Sequence, residues 1–461
     1  GPYGDHLRRL LVLLTSNDED TEVVRALLRG QPPCTERAFY RVRSAGLVTG
    51  TSVQECRIRC ELYAAYLSDH LLPFVEAPNP YVPRSPLPPE SPLFLGREET
   101  FEFLARHVME QHVQRHAVLY GERRVGKTSI IRRLHRELPP ERFVACMIDL
   151  QSLISSGFAN FLYSLALEIS DSLAAAVPPI VVSPPELQRL QQREQRFEEE
   201  FLRAVCRGLG DRRLVLALDE YEHLTTLSNS LDTTPDRLFG YLRHLMQAYT
   251  QITFVLTGAH VLTELPDPRW RTYLNLASCH RVRLLGDSEM RSLIVSPVSE
   301  AGQIYDETAV SSIASLAGGH PSFLQTICSY LVAHRNRSRR PRISEAEVTH
   351  CLEGILSEVD DVLAEVWETR STSRERILMA LIAEGVAAGG SPTLGELSLL
   401  AERQFPSANP SEISDVFARL KDREIVTEDR SDGTISFRIG LQYEWLTRYK
   451  LGSVKREGLR W

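Results

Sequence analysis

Lys127 is the only lysine in the first 420 residues of a chain that carries four lysines and 49 arginines. A lysine kept among so many arginines points to lysine chemistry. It stands in Gly121-Glu122-Arg123-Arg124-Val125-Gly126-Lys127-Thr128, which fits G-x-x-x-x-G-K-[ST] at every fixed position. In this spacing glycines let the backbone curl so that its N–H groups face phosphate oxygens, and the N-terminus of the following helix adds positive potential. Gly121, Val125, Gly126 and Ser129 are then expected to border the phosphates, Lys127 to reach the β- and γ-phosphates, and Thr128 to offer a hydroxyl to Mg²⁺. Further on, the apolar run Leu214–Leu218 ends in Asp219-Glu220. Asp219 is placed to hold the Mg²⁺ shell, and Glu220 to polarise a water for attack on the γ-phosphate. No Asn-Lys-x-Asp guanine motif follows, which favours ATP and ADP over the guanine nucleotides.

The elements around these residues suit that chemistry. His116–Tyr120 reads as a strand ending at the glycine-rich turn, and Thr128–Leu138 as an amphipathic helix leaving it. Phe143–Asp149, Arg213–Leu218, Ile252–Thr257 and Arg281–Leu284 are the other strand candidates between about Leu93 and Leu285. Short apolar runs separated by helical stretches imply an α/β fold: a parallel five-stranded sheet with helices on both faces. Residues from about Asp287 to Thr369 read as helical.

Pro73–Pro92 holds eight of the 26 prolines and can join neither a helix nor a central strand. It reads as a linker after a small module. In that module, helices are expected over Asp5–Leu14, Glu19–Leu28 and Glu36–Ala45, with Gly46 as the stop. A short hairpin through Leu47-Val48 and Arg57–Arg59 and a helix over Glu61–Leu72 follow, a winged-helix pattern. The C-terminus repeats the plan with helices near Arg374–Glu384, Leu394–Arg403 and Ser411–Asp422, then Ile425–Glu428 and Ile435–Ile439 around Ser431-Asp432-Gly433. Phe39, Leu47 and Val48 align with Phe417, Ile425 and Val426, and Tyr63 with Tyr443. The expected division is 1–72, an N-terminal winged-helix-like module; 73–92, the linker; 93–286, the phosphate-loop core; 287–369, a helical lid; and 370–461, a C-terminal winged helix.

With a net charge of −7 the chain is no generic binder of polyanions. Its eight scattered cysteines read as reduced thiols in a cytoplasmic protein, and no apolar run approaches the roughly 20 residues that span a membrane. Gly1-Pro2 without a methionine reads as a protease scar, with natural sequence expected upstream.

Together these residues resemble the signal-transduction ATPases with numerous domains, the STAND group of AAA+-like P-loop ATPases, across roughly Phe94–Tyr449. Phe94-Leu95-Gly96-Arg97-Glu98 is similar to the group's motif ahead of the first helix, which implies that Leu95, Gly96 and Arg97 lie near adenine. Gly318-Gly319-His320-Pro321 with Phe323-Leu324 resembles its Gly-x-Pro element, which implies that Pro321 packs near the base. The resemblance also implies that Thr257, at the end of the strand that follows the second phosphate motif, senses the γ-phosphate. Gly46-Leu47-Val48 and Arg59–Tyr63 look like the closing winged helix of bacterial "AAA-like domain" proteins, here placed ahead of the ATPase. A further departure is Gly258-Ala259-His260, where many relatives carry an arginine; Arg269, Arg271, Arg281 and Arg283 are the substitutes at hand.

The resemblance implies a nucleotide-driven switch with slow ATP hydrolysis. ADP holds a closed monomer, ATP releases an assembly surface for self-association, and an effector or sensor, separate or fused, takes the output in bacterial signalling or defence. The alternative is a DNA-associated AAA+ ATPase akin to origin-recognition or transposition-regulator ATPases. DNA is the less favoured partner, because residues 1–72 carry nine basic and nine acidic side chains and residues 373–461 thirteen of each. The exception is Arg335–Arg342, with five arginines in eight residues.

Overall fold

The computed structural model describes residues 2–28, 31, 35–71, 74–110, 116–153, 157–224, 227, 234–259, 275–451 and 461. The chain divides into two compact units, Gly1–Pro80 with Ile294–Ile313 and Cys328–Glu353, and Tyr81–Leu293 with Ala314–Ile327 and Gly354–Trp461.

In the first unit, helices α1 (Pro2–Thr15), α2 (Asp18–Leu28) and α3 (Glu36–Ser44) precede a hairpin of β1 (Val48–Thr49) and β2 (Arg57–Ile58), and α4 (Glu61–Leu71) closes the module. Leu10, Leu14, Val24, Phe39, Val42, Leu47, Val48 and Leu67 form its core. Thr35 starts α3 by accepting the Ala38 N–H, and Gly46, at φ 80°, ends it. The first part of the proline-rich stretch is pinned in the same unit. Asn336 exchanges hydrogen bonds with the Ala77 backbone, and Arg335 donates to the Val75 carbonyl while its guanidinium lies 4.7 Å from the Phe74 ring centroid.

The second unit is built on a parallel sheet in the order β4-β5-β6-β3-β7, with β3 His116–Tyr120, β4 Phe143–Asp149, β5 Arg213–Asp219, β6 Ile252–Gly258 and β7 Ala277–Arg281. Strand side chains alternate between faces. Leu214, Leu216 and Leu218 with Phe254 and Leu256 pack on helices such as Phe158–Ala174 and Pro235–Ala248. Val215, Ala217, Ala117 and Leu119 pack on the other face against Ile130, Ile131 and Leu134 of the helix Lys127–Glu137.

The fifth strand departs from the sequence expectation. It is Ala277–Arg281, and the apolar Val282 and Leu284 that suggested a strand over Arg281–Leu284 follow it into the core. β7 lies at the sheet edge, so its residues need only one paired side. His280 finds partners there in the Thr100 hydroxyl, at 3.1 Å, and the Phe103 ring.

The C-terminal segment of this unit holds helices Ser373–Ala387, Leu394–Gln404 and Pro410–Asp422, the antiparallel pair β8 (Val426–Glu428) and β9 (Ile435–Phe437), and the helix Gly440–Trp445. Thr372 with Glu375, and Thr393 with Glu396, form reciprocal caps at the first two of these helices.

Candidate nucleotide site

The sheet order brings the phosphate motifs together. β6 lies between β3, which feeds the glycine-rich loop, and β5, which ends in Asp219. The loop leaves β3 at Gly121, where φ is 156° and a Cβ would stand 2.5 Å from the Val282 carbonyl oxygen. Only glycine fits that approach. Gly126, at φ 104°, turns the chain into the helix Lys127–Glu137.

Lys127 is buried and donates to the Gly121 and Glu122 carbonyls, both at 2.9 Å. Burial pulls its pKa down, against the opposing charges of Glu220, Glu222, Glu122 and Asp219. Thr128 Oγ1 donates to Asp219 Oδ2 at 2.7 Å, while Asp219 Oδ1 accepts from the Thr257 hydroxyl and the Glu220 N–H. Glu220 adopts a left-handed backbone, φ 58°, and burial followed by repulsion from Glu222 raises its pKa. A carboxylate with raised proton affinity is suited to accept a proton.

A cavity of about 400 Å³ opens on these groups. Of the residues singled out in the sequence, it is lined by Leu95, Arg97, Val125, Gly126, Lys127, Thr128, Ser129, Asp219, Glu220 and Pro321. Gly96, Gly121 and Thr257 are not on its wall. Gly96, at φ 66°, passes too close to Glu289 for a side chain. Thr257 is fully buried behind Asp219 and addresses its carboxylate, so its hydroxyl can act on a ligand only through that residue. Arg97 is buried and donates to Val125 O at 2.8 Å and Arg283 O at 2.7 Å, bracing the loop; burial lowers its pKa to about 10. The Ser129 hydroxyl accepts from the Leu87 N–H at 2.9 Å.

Among the arginines considered as substitutes, Arg281 pairs with Glu424 at 3.4 Å. His260, Arg269 and Arg271 lie outside the described residues. Sequence reading missed other wall residues. Asp149 ends β4 directly opposite Asp219, and Val82, Arg84, Ser85, Pro86 and Leu87 come from the stretch read as a linker. A strand ending in aspartate was the available signal for the first; the second had none.

Glu122 and Arg123 of the loop also bond to residues near the C-terminus. Arg123 donates to Glu365 at 2.6 Å. Glu122 lies 3.9 Å from Arg370 and 3.8 Å from Arg423, whose guanidinium also faces Glu375 at 3.7 Å. Gly318 and Gly319 have left-handed backbones, and a Cβ on them would meet Arg438 O at 2.1 Å and Leu285 O at 2.4 Å. Next to them His320 is buried, stacked on Phe323, with Nε2 3.0 Å from the Arg123 carbonyl. That carbonyl can only accept, so Nε2 carries the proton, and burial lowers the imidazole pKa to about 4.

The donor set fits a nucleotide with its cation. The Thr128 hydroxyl and the Asp219 carboxylate supply hard oxygens side by side, as Mg²⁺ requires, and the curled loop at a helix N-terminus suits phosphate.

Residues 110–265 match the family model of the AAA domain. An uncharacterized WD repeat-containing protein of Synechocystis sp. is 23% identical over 261 residues, 54% of this chain. The chain spans about a fifth, 21%, of that relative's length. Among solved structures, the Walker-type ATPase of Pyrococcus abyssi is similar with a TM-score of 0.53 at 18% identity, covering 77% of this chain and 96% of that one. The ORC2 protein of Aeropyrum pernix, solved as ADPNP–ADP complexes, is 13% identical over 82% of this chain and 95% of its own, with a TM-score of 0.48. At 18% identity the likeness to the Pyrococcus ATPase concerns the fold, a P-loop NTPase-like α/β architecture.

Proposed function

We propose that this chain binds and slowly hydrolyses ATP as a STAND-like switch. The observation that carries the hydrolytic part is the line Thr128–Asp219–Thr257 beside Lys127 and Glu220. Thr128 and Asp219 would hold Mg²⁺, which would supply positive charge to the phosphates. Lys127 exchanges its two loop carbonyls for phosphate oxygens. Thr257 holds Asp219 in place from behind. Glu220, with its raised proton affinity, accepts the proton of the attacking water. The apolar residues of the cavity wall, Leu93, Phe94, Leu95, Leu285 and Pro321, suit the base.

The switch part rests on what the loop touches. Nucleotide shifts a conformation only by differential affinity, so a loop that contacts both phosphate and a second element is the place to couple them. Glu122 and Arg123 make such contacts with Arg370, Arg423 and Glu365, and the Arg123 carbonyl with His320 after the Gly318–Gly319 turn. In this reading ADP keeps the C-terminal winged helix closed, ATP loosens it for self-association, and an effector or sensor in bacterial signalling or defence takes the output.

The DNA-associated alternative draws less support. Arg335 is buried and internally bonded, Arg340 pairs with Glu347 and Arg342 with Asp306. In the helix Pro410–Asp422, Arg419 pairs with Glu375 and Lys421 with Glu428. Cations already neutralised contribute little to phosphate binding.

The test is to denature purified protein, identify the released nucleotide by chromatography, and measure solution mass with ADP and with a non-hydrolysable ATP analogue. Bound ADP in a monomer, and larger particles with the analogue, are expected. An empty site whose turnover rises with DNA at low salt would overturn the switch in favour of the alternative.

A further inference from the structure

The stretch Tyr81–Leu87 has no helical or strand periodicity, yet five of its residues line the nucleotide cavity. It is tied down on both sides of that cavity. On one side the Val82 N–H donates to Gln325 Oε1 at 3.1 Å, next to Pro321 and Ser322 on the wall. On the other, the Leu87 N–H donates to Ser129 Oγ, and the carbonyls of Pro86 and Pro89 accept from Arg132 and Arg133 of the loop helix, at 3.4 and 2.6 Å. Between these anchors stands Arg84, a non-glycine residue with φ 68°. Such a backbone persists only where surrounding contacts over-determine it.

Those contacts are visible. The Arg84 guanidinium donates to the Glu358 carbonyl and lies 3.7 Å from the carboxylates of both Glu358 and Asp361, on the helix Glu345–Glu368. Asp361 is shared. Its other oxygen lies 3.5 Å from Arg124 of the phosphate loop. One carboxylate therefore joins the crossing segment, the loop and the long helix, and both arginines also face the cavity. All three side chains are one-third to just over one-half exposed, so salt and competing anions reach them.

We propose that Tyr81–Leu87 is a strap across the nucleotide cavity, and that opening of the Arg84–Asp361–Arg124 clasp sets the rate at which nucleotide leaves. This rests on the nucleotide reading of the site and concerns its regulation. The Val82 and Leu87 anchors join backbone N–H groups to the buried Gln325 and Ser129 and hold. The clasp is the exposed, screenable point. Breaking it frees Arg84 to leave its strained conformation, and the strap lifts between its anchors.

The experiment uses the full chain and a fluorescent N-methylanthraniloyl ADP, chased with excess ADP in stopped flow. Wild type is compared with Asp361→Asn and Arg84→Ala, each from about 50 to 500 mM NaCl. Release is expected to be several-fold faster in both variants at low salt, and faster in wild type as salt rises, with the three rates converging at high salt. As a second measurement on wild type and Asp361→Asn, limited trypsinolysis reads cleavage after Arg84. Bound ADP is expected to slow it in wild type, and the variant to be cut faster. Equal release rates, parallel salt slopes or unchanged cleavage with ADP bound overturn the strap alone. No binding of the fluorescent ADP by wild type overturns the nucleotide site, and the strap with it.

Discussion

The first seventy residues and the last ninety share one plan and use it differently. Each has three helices, a short antiparallel hairpin and a closing helix, and their backbone hydrogen bonds correspond one for one where the third helix ends. Leu47 N–H bonds to Val42 O and Ile425 N–H to Leu420 O, both at 3.0 Å; Gly46 bonds to Arg43 O and Glu424 to Lys421 O. The residue that turns the chain there has φ 80° in one and 57° in the other, but it is Gly46 in the first and Glu424 in the second. Glutamate is strained in this conformation, and the strain is offset where its carboxylate reaches Arg281 of the edge strand. The neighbouring charges diverge in the same way. Arg41 binds Glu19 and Asp20 inside its own module, whereas Arg423, at the equivalent of Ala45, reaches Glu122 of the phosphate loop. A shared backbone thus carries two employments, decided by a few side chains at one helix end.

Several substitutions would break or sharpen this contrast. The largest effect belongs to what the second module is wired to. Lys127→Ala should lower ATP turnover by at least about 100-fold, and Glu220→Gln by about 10²–10⁴-fold while leaving nucleotide affinity intact. A phosphate-release assay paired with equilibrium binding separates the two; a Glu220→Gln protein that still hydrolysed at the wild-type rate would remove that residue from the chemistry.

Next comes the turn that abuts the C-terminal module. Gly318→Ala adds a Cβ 2.1 Å from the Arg438 carbonyl at a left-handed position, whereas Gly46→Ala meets nothing nearer than 3.9 Å. Chemical denaturation should show a loss of about 2–4 kcal/mol for the first and about 1 kcal/mol for the second. Similar losses would mean that the Gly318 contact yields without resistance.

His320 adds a pH signature. Its folded pKa, about 4, lies below the ordinary 6.5, so the unfolded chain binds the extra proton between those values. Its contribution is complete above about pH 6.5 and is lost as pH falls through 4, on the order of 3 kcal/mol in all. Thermal melts of wild type should therefore fall more steeply over that window than those of His320→Gln; parallel curves would locate the acid sensitivity elsewhere. The smallest expected change is in Arg423→Ala, which leaves Glu122 with Arg370 alone and should alter ADP affinity about fivefold, in keeping with a partly exposed pair. Arg41→Ala should leave that affinity unchanged, and calorimetric titration of both variants tests the contrast directly.

What could be read from the sequence was what is local. Gly121–Thr128 and the run into Asp219-Glu220 announce themselves because phosphate binding needs fixed residue types at fixed spacing, and the two hairpin modules because helical spacing ends at glycine or a polar turn. The edge strand was misplaced because Ala277–Arg281 is polar and half-covered, so it lacks the apolar run that marks buried strands. Thr257 was singled out by position, and only the structure shows it addressing Asp219. The strap and the Glu122–Arg370–Arg423 contacts left no trace, since pairings between residues hundreds of positions apart impose no periodicity on either segment.

The most direct measurement is amide hydrogen exchange on Glu220→Gln, with ADP and then with ATP that the variant cannot turn over. Faster exchange with ATP is predicted in the hairpin Val426–Phe437, the helix Gly440–Trp445 and the Gly318–His320 turn, with the helices of the first module unchanged. Identical exchange in the two nucleotide states, both bound, would contradict a switch that works through the C-terminal module.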